Sequence, residues 1–300
     1  MLLALVLSVV APAVVAVVLL AVGHRPWGEM KDGRWSLALA IPACAFAAYF
    51  AVRGAPAFPP ADASVWPLWI GVVAAALAVL EAKVELPRVA RGAAWLGLAL
   101  VTAYLVSRPR IEFAWDTGDT VAWIAGSTLA IAVVWVALEV RAERVTGSAV
   151  PLAMTIWGAG VATVLGLSGT ALLAQTAGGV AAALGVATAR GVWRQSLPVA
   201  RAVVGPSVIV LGGLLLGGVH YADVGFTSVG LVVVGAVLVG LLSLPALSTA
   251  GLRTTATLGI VVLIASGAAV MTTVWPADDA PADSASTEAN DDSDYGYGYD

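Results

Sequence analysis

Apolar runs of about twenty residues recur along this 300-residue chain and constrain its fold more than any other feature. A helix needs about twenty apolar residues to cross the hydrocarbon core of a bilayer. A backbone in lipid must satisfy its own hydrogen bonds, so each run is helical or belongs to a closed barrel. The runs lack the alternation of barrel strands, which favours helices. The sequence therefore predicts an all-α, polytopic transmembrane helix bundle.

Ten runs are predicted to be spans, and together they make one membrane domain over residues 1–275. Charged residues make up only 11% of the chain, against roughly 25% in a soluble domain, which excludes a soluble catalytic domain of ordinary size. The sixth and seventh spans flank Leu167 and Ser168, where either a tight hairpin or one misplaced boundary fits the pattern. The predicted spans are 2–22, 35–52, 66–81, 91–106, 119–139, 150–166, 169–189, 200–218, 226–244 and 252–274.

A different kind of segment, 276–300, follows the last predicted span. It holds eight of the 19 acidic residues and no Lys or Arg, whereas the membrane domain before it has a net charge of +4. Its Pro, Asp, Ser and Gly leave too little apolar surface to offset the conformational entropy lost on folding. We predict a disordered, acidic and solubilising tail, with a recognition tag in its terminal Tyr-Gly repeat as the alternative.

Basic residues are distributed unequally between the two predicted membrane faces. With the N-terminus outside, twelve of the 15 Lys and Arg fall in cytoplasmic loops, and the other three are Arg53, Arg108 and Arg110. Basic residues near span ends stay on the cytoplasmic side. The first span has no basic residue before it, unlike a signal peptide. We therefore predict a multi-pass protein of the cell (inner) membrane with both termini outside the cytoplasm.

Ionisable residues are almost absent from the centres of the predicted spans. This absence argues against a proton-driven pump or an ion channel with a charged filter. Glu81 and Glu139 lie within a turn of predicted cytoplasmic ends. There they are expected to be satisfied beside Lys83 and Arg141.

The most polar stretch predicted at mid-membrane depth contains Ser168, Thr170 and Gln175. An unpaired amide in hydrocarbon costs several kcal/mol, so Gln175 should either bond to another helix or face a substrate cavity. These three residues are the candidate polar intramembrane site.

Glycines in the later spans predict close helix packing. Gly178 and Gly179 follow Gln175, and Gly213 and Gly217 lie four residues apart on one helical face. Interruptions of the helices around Gly178 and Gly179, or at Pro206, would frame a central site.

Two polar clusters are predicted at the outer surface. Arg108, Arg110 and Glu112 follow the fourth span, and His220 and Asp223 follow the eighth. If the two loops meet, these groups can bind phosphate or act as acid and base; otherwise they only solvate the loops. His220 and Asp223 supply two metal ligands at most and no zinc spacing exists, so no metal or cofactor is predicted.

The motifs of nucleotide hydrolysis and of the common hydrolases are missing from the sequence, including GxxxxGK[ST], HExxH and GxSxG. No basic patch with interleaved aromatic residues indicates nucleic-acid binding. The expected partners are the lipid bilayer and other membrane proteins. The single cysteine, Cys44, lies in an apolar run and is predicted to pack as a small hydrophobic residue.

The segments AFPPADASVWPLW (57–69) and LSGTALLAQTAGGVAAALG (167–185), with the acidic Tyr-Gly tail, resemble uncharacterised polytopic membrane proteins of the planctomycete type. The resemblance implies a location in a bacterial envelope and carries over no catalytic residue. Within the first segment, the Pro59 and Pro60 turn is expected to be ordered, with Asp62 capping the next helix.

Three classes of function remain open. The first is a transporter or permease for a neutral or lipid-like solute, since ten spans divide near residue 145 into five and five, as in carriers with inverted repeats. The second is a non-catalytic envelope scaffold or complex subunit, for which tight glycine packing and the acidic tail suffice. The third is a membrane-embedded enzyme that acts on a lipid-linked substrate through the outer clusters.

The predicted sidedness is testable by cysteine labelling. In a Cys44→Ala background, Ser293→Cys places one thiol in the acidic tail. We expect a membrane-impermeant maleimide to label it in intact cells, because the tail is predicted outside. Protection in intact cells combined with labelling after lysis contradicts the predicted orientation.

Overall fold

The computed structural model of the chain describes residues 2–23, 34–84, 86–144, 148–193 and 199–241, together with residue 268. These residues form nine α-helices, with one 3₁₀ turn at Ala63–Val65 before the third. The tenth predicted span and the predicted tail lie outside them, apart from residue 268. The helices are α1 (Leu2–Gly23), α2 (Arg34–Arg53), α3 (Trp66–Lys83), α4 (Arg88–Phe113), α5 (Thr117–Arg144), α6 (Ala149–Leu167), α7 (Ala171–Trp193), α8 (Val199–Tyr221) and α9 (Phe226–Leu241).

The helices of this part of the chain suit a membrane. Seven are long and apolar enough to cross one, and α1 and α9 contribute the shorter apolar stretches Val10–Gly23 and Phe226–Leu238. Each helix overlaps one of the first nine predicted spans. The prediction of an all-α, multi-pass membrane protein is therefore confirmed, while the total of ten spans stays a prediction.

Helix α8 lies at the centre of the bundle. In its membrane-spanning segment 89% of the residues are buried, against 22% in that of α5. It contacts α2 to α7 and, more sparsely, α9. The physical reason is its sequence, which is apolar on every side and can pack against neighbours all round.

Helices α7 and α8 are continuous. Helix α8 passes through Pro206, and α7 passes through Gly178 and Gly179. The predicted interruptions at these residues are therefore wrong. Unwinding either helix would leave backbone groups without hydrogen bonds in an apolar interior, and packing against surrounding helices keeps both intact.

Small residues bring the helices close together, as predicted. A Cβ added at Gly213 of α8 would lie 2.8 Å from Pro67 Cγ of α3 and 2.9 Å from Thr102 Cγ2 of α4. A Cβ added at Gly217 would make only ordinary contact, at 3.8 Å from Leu173 Cδ1. Gly213 is thus a position where α8 packs closely against both α3 and α4.

The structure decides between the two alternatives for the junction of α6 and α7, and it confirms the cap predicted at Asp62. Helices α6 and α7 form a tight hairpin whose turn contains Gly169 at a φ of 83°, a conformation that glycine adopts readily. Before α3, the Asp62 carboxylate accepts a hydrogen bond from the Ser64 backbone N–H at 2.8 Å. Asp62 therefore caps the 3₁₀ turn that leads into α3.

Cys44 packs in the interior of the bundle, as predicted. It is fully buried on α2, and its Sγ lies 3.0 Å from the Pro12 carbonyl oxygen of α1, to which the thiol donates. The cysteine therefore contributes to the α1–α2 contact.

Successive helices run in alternating directions, so the helix termini collect at two opposite ends of the bundle. At the Arg–Glu end, Arg91 of α4, Glu139 of α5 and Arg201 of α8 meet. At the His220 end, Ser107 of α4 meets His220 of α8. All candidate sites described below lie at one of these ends or extend inward from it.

The contact between α2 and α7 generates a stability prediction. A Cβ at Gly179 would lie 2.7 Å from the Cys44 carbonyl oxygen and 2.8 Å from Ala48 Cβ, so Gly179→Ala must push the two helices apart. We expect this variant to lose about 1–3 kcal/mol of unfolding free energy, measured by denaturation in detergent. Gly178→Ala is the matched control, because no atom lies within 4 Å of its added Cβ. Equal stability of the two variants would contradict the close packing.

Candidate functional site

The last turns of α4 and α8 meet at the His220 end. Ser107 Oγ lies 2.9 Å from His220 Nε2, and Arg110 Nη2 donates to the His220 carbonyl oxygen. The Tyr221 hydroxyl donates to the Val106 carbonyl oxygen at 2.7 Å. The structure therefore brings together two of the residues predicted for an outer-surface cluster, Arg110 and His220.

Aromatic rings enclose His220, which is 3% exposed. Trp115 and Trp123 stack on each other, with ring centroids 5.4 Å apart. The edge of each indole lies against the imidazole, with centroids 5.2 Å from that of His220. Phe226 extends this group from the start of α9. The histidine is therefore a packed group between α4, α5 and α8, with a hydroxyl as its polar neighbour.

The other predicted members of the outer cluster lie apart from His220. Arg108 and Glu112 form an exposed pair one turn apart on α4, at 2.7 Å. Asp223 is exposed in the turn after α8, at a φ of 49°. In the part of the chain that the structure describes, neither Glu112 nor Asp223 bonds to His220. An acid–base pair at this histidine would need a carboxylate from elsewhere.

The predicted intramembrane residues lie close to the His220 end. Ser168 and Thr170 are in the α6–α7 turn, where their hydroxyls donate to backbone carbonyls of α6, each at 2.8 Å. Gln175 is the fifth residue of α7, so it lies shallower than mid-membrane. Its Oε1 is buried and has no hydrogen-bond partner among the described residues. The expected interhelical bond is thus not formed through this oxygen.

An apolar crevice opens between α5, α8 and α9, with Trp157 of α6 in its wall. Its volume is about 360 Å³, and its described lining contains no charged side chain. Trp123 and Phe226 line it at the His220 end, and Val134 lines it farther along α5. Eleven residues separate Trp123 from Val134, which corresponds to about 16 Å of helix. The crevice therefore extends from one membrane face to about mid-depth.

The crevice contains few polar groups. Ser127 of α5 is a hydroxyl-bearing residue in the lining. Trp157 is 3% exposed, and its Nε1 has no hydrogen-bond partner in the described ranges. Trp157 lies within the sixth predicted span, 150–166, and the periodicity of apolar residues carries no signal for a gap between helices. Only the assembled bundle reveals this crevice.

A buried ionic network occupies the Arg–Glu end. Arg91 Nη2 donates to Glu139 Oε1, and Arg91 Nη1 lies 3.3 Å from Glu143 Oε1. Arg201 of α8 approaches the same carboxylates at 3.3 and 3.4 Å. The side chains of Arg91 and Glu139 are each only 8% exposed. The network therefore joins α4, α5 and α8 within a largely dehydrated site.

Glu81 of α3 extends this network. Its Oε1 accepts a hydrogen bond from Trp95 Nε1 at 2.8 Å, and its Oε2 lies 3.7 Å from Arg91 Nε. Trp95 also stacks on Trp135, with centroids 6.0 Å apart. The partners of Glu81 thus come from α4, whereas the sequence predicted Lys83, on the same helix as Glu81, as its partner.

The reason for this correction is helical geometry. Residues two apart on a helix do not face each other, so Lys83 is poorly placed for Glu81 and Arg141 for Glu139. The signal that sequence reasoning missed is the four-residue spacing of Glu139 and Glu143, which places two carboxylates on one face of α5. Such a face needs cations from neighbouring helices, and only the fold shows which ones supply them.

No protein-family model, curated protein or solved structure matches this chain. The resemblance to planctomycete-type membrane proteins stays a prediction. Function is therefore argued from the geometry of the two ends and of the crevice.

The ionic network generates a second stability prediction. Arg91→Gln leaves Glu139 buried with only the half-exposed Arg201 as partner. Because an unpaired buried charge is costly, we expect a loss of about 3–5 kcal/mol of unfolding free energy, measured by denaturation in detergent micelles. Arg108→Gln is the control, since it removes an exposed pair and should change stability little. Similar melting curves for the two variants would show that the network contributes nothing.

Proposed function

We propose that this protein binds an uncharged, lipid-like solute in the apolar crevice between α5, α8 and α9 and carries it within the membrane. The observation that supports the proposal is the crevice itself. Its volume of about 360 Å³ falls in the range of small-molecule sites, roughly 300–1,000 Å³. Its lining favours an apolar molecule, because a charged one would lose its hydration without gaining a partner.

The position of the crevice fits a solute that enters from the bilayer. It begins beside Trp123 and Phe226 at the His220 end. Tryptophan prefers the level of the lipid headgroups, where its ring is partly hydrated. An amphiphile with its head at this level could extend its apolar body along α5 toward the centre of the membrane.

The polar groups in the wall indicate one further property of the solute. Ser127 of α5 is half-buried in the lining, where its hydroxyl can donate to one acceptor oxygen of a solute. We therefore favour a long apolar molecule that carries one ester or ketone group.

Two features support a carrier in preference to an enzyme at the outer surface. His220 is enclosed by indole rings, and the carboxylates of Glu112 and Asp223 do not bond to it.

In this proposal the Arg–Glu end faces the cytoplasm, because basic residues are retained there, and the crevice opens toward the outside. A non-catalytic scaffold is the alternative, and it requires no bound solute.

The proposal is tested with a brominated monoacylglycerol, which is uncharged, carries one ester and quenches tryptophan fluorescence on contact. In nanodiscs we expect saturable quenching at low probe content for the natural sequence. Gly126→Leu should weaken binding about tenfold by filling the crevice. Gly126 lines the crevice, and no atom lies within 4 Å of its added Cβ, so leucine fits without strain.

Gly97→Leu is the matched control for this experiment. Gly97 also has open space around an added Cβ, but it lies on α4, away from the crevice. Its quenching curve should equal that of the natural sequence. Unsaturable quenching that is the same in all three proteins would contradict the proposal, and would indicate that the crevice is filled by the rest of the chain or by a second copy.

A further inference from the structure

A second cavity, of different character, lies at the Arg–Glu end. It has a volume of about 450 Å³ and is bounded by the end of α3, the start of α4 and the first turn of α8. Four cations and one carboxylate line it: Lys83, Arg88, Arg91, Arg201 and Glu81. The sequence placed these basic residues only in separate cytoplasmic loops. The fold gathers them around one space with a strongly positive lining.

The positive charge of this cavity is not neutralised within the described residues. Glu139 and Glu143 pair with Arg91 and Arg201 from the opposite side. Lys83 and Arg88 are exposed and form no ion pair in the described part of the chain. Among the residues that the structure describes, four cations face three carboxylates even when Glu139 and Glu143 behind the cavity are included.

The cavity also offers hydrogen-bond donors. Arg91 is 7% exposed, and its Nε makes no hydrogen bond in the described segments, where Glu81 Oε2 lies 3.7 Å from it. Helix α4 begins at Arg88, and its N-cap residue, Pro87, provides no side-chain cap. The first backbone N–H groups of a helix attract anions because they lack helical acceptors.

We propose that this cavity binds a phosphate group, supplied by a phospholipid headgroup or by inorganic phosphate. Phosphate matches the site because it accepts several hydrogen bonds at once from arginine, lysine and backbone N–H groups. The cavity lies where the helices end, which is the level of lipid headgroups. Basic pockets between membrane helices bind such headgroups. This site is distinct from the apolar crevice, and the proposal does not depend on the carrier function.

The test removes the two unpaired cations with Lys83→Gln combined with Arg88→Gln. Both residues are exposed, so the full-length variant should fold, and its elution as one species in size-exclusion chromatography checks this. In the first arm, the proteins are taken from vesicles of phosphatidylcholine and phosphatidylglycerol, and retained phosphatidylglycerol is counted by native mass spectrometry. In the second arm, inorganic phosphate is titrated into protein in an uncharged detergent, and the melting temperature is followed.

The expected result is binding in at least one arm, about tenfold weaker in the double variant. Retained phosphatidylglycerol identifies a headgroup site, and a rise in melting temperature with phosphate alone identifies a soluble anion. Lys83→Arg combined with Arg88→Lys keeps both charges and should keep binding.

Arg53→Gln is the control for the loss of an exposed positive charge away from the cavity. Arg53 is an exposed arginine in the last turn of α2, at the opposite end of the bundle. It should bind as the natural sequence does. The proposal is overturned if neither probe binds the natural sequence, or if Arg53→Gln weakens binding as much as the double variant.

Discussion

Helices in a bilayer gain little hydrophobic free energy from leaving lipid for one another, because lipid tails are as apolar as their own side chains. A membrane bundle is therefore held by close packing and by a small number of polar contacts. Close packing of this kind is found, for example, on α8 at Gly213 and between α2 and α7 at Gly179. The polar contacts lie at the ends, where Arg91 bonds to Glu139 and Ser107 lies beside His220.

Whether a feature could be predicted from the sequence depends on how far apart in the chain the interacting residues lie. Helix positions follow from the length of apolar runs, and the first nine agree with the structure because each run alone must satisfy its backbone. Local turn chemistry was also predictable, as at Asp62 and in the hairpin at Gly169. Both depend only on residues near each other in the chain.

The features that could not be predicted depend on contacts between distant segments. Arg91 and Glu139 are 48 residues apart, and nothing in the local pattern pairs them. The depth of Gln175 was misjudged because the predicted span began two residues before α7 does and the residue was taken as central. The crevice beside Trp157 is a gap between helices. The periodicity of apolar residues along one helix does not show how closely its neighbours approach it.

The two cavities give the bundle a chemical polarity along the membrane normal. The crevice that opens at the His220 end suits apolar matter, whereas the cavity at the Arg–Glu end suits an anion. Helix α8 lines both, through Leu215 at one and Arg201 at the other. Helix α8 therefore connects the apolar crevice with the cationic cavity. Between Arg201 and His220 it carries no ionisable residue.

Helices α4 and α8 are joined at both of their ends. At one end Arg110 donates to the His220 carbonyl, and at the other Arg91 and Arg201 share the carboxylates of α5. One residue inserted into either helix would turn its far end by roughly 100° and move it by about 1.5 Å. Both junctions cannot then stay in register. Single-residue insertions and deletions in these two helices should consequently be rare among natural variants of this chain.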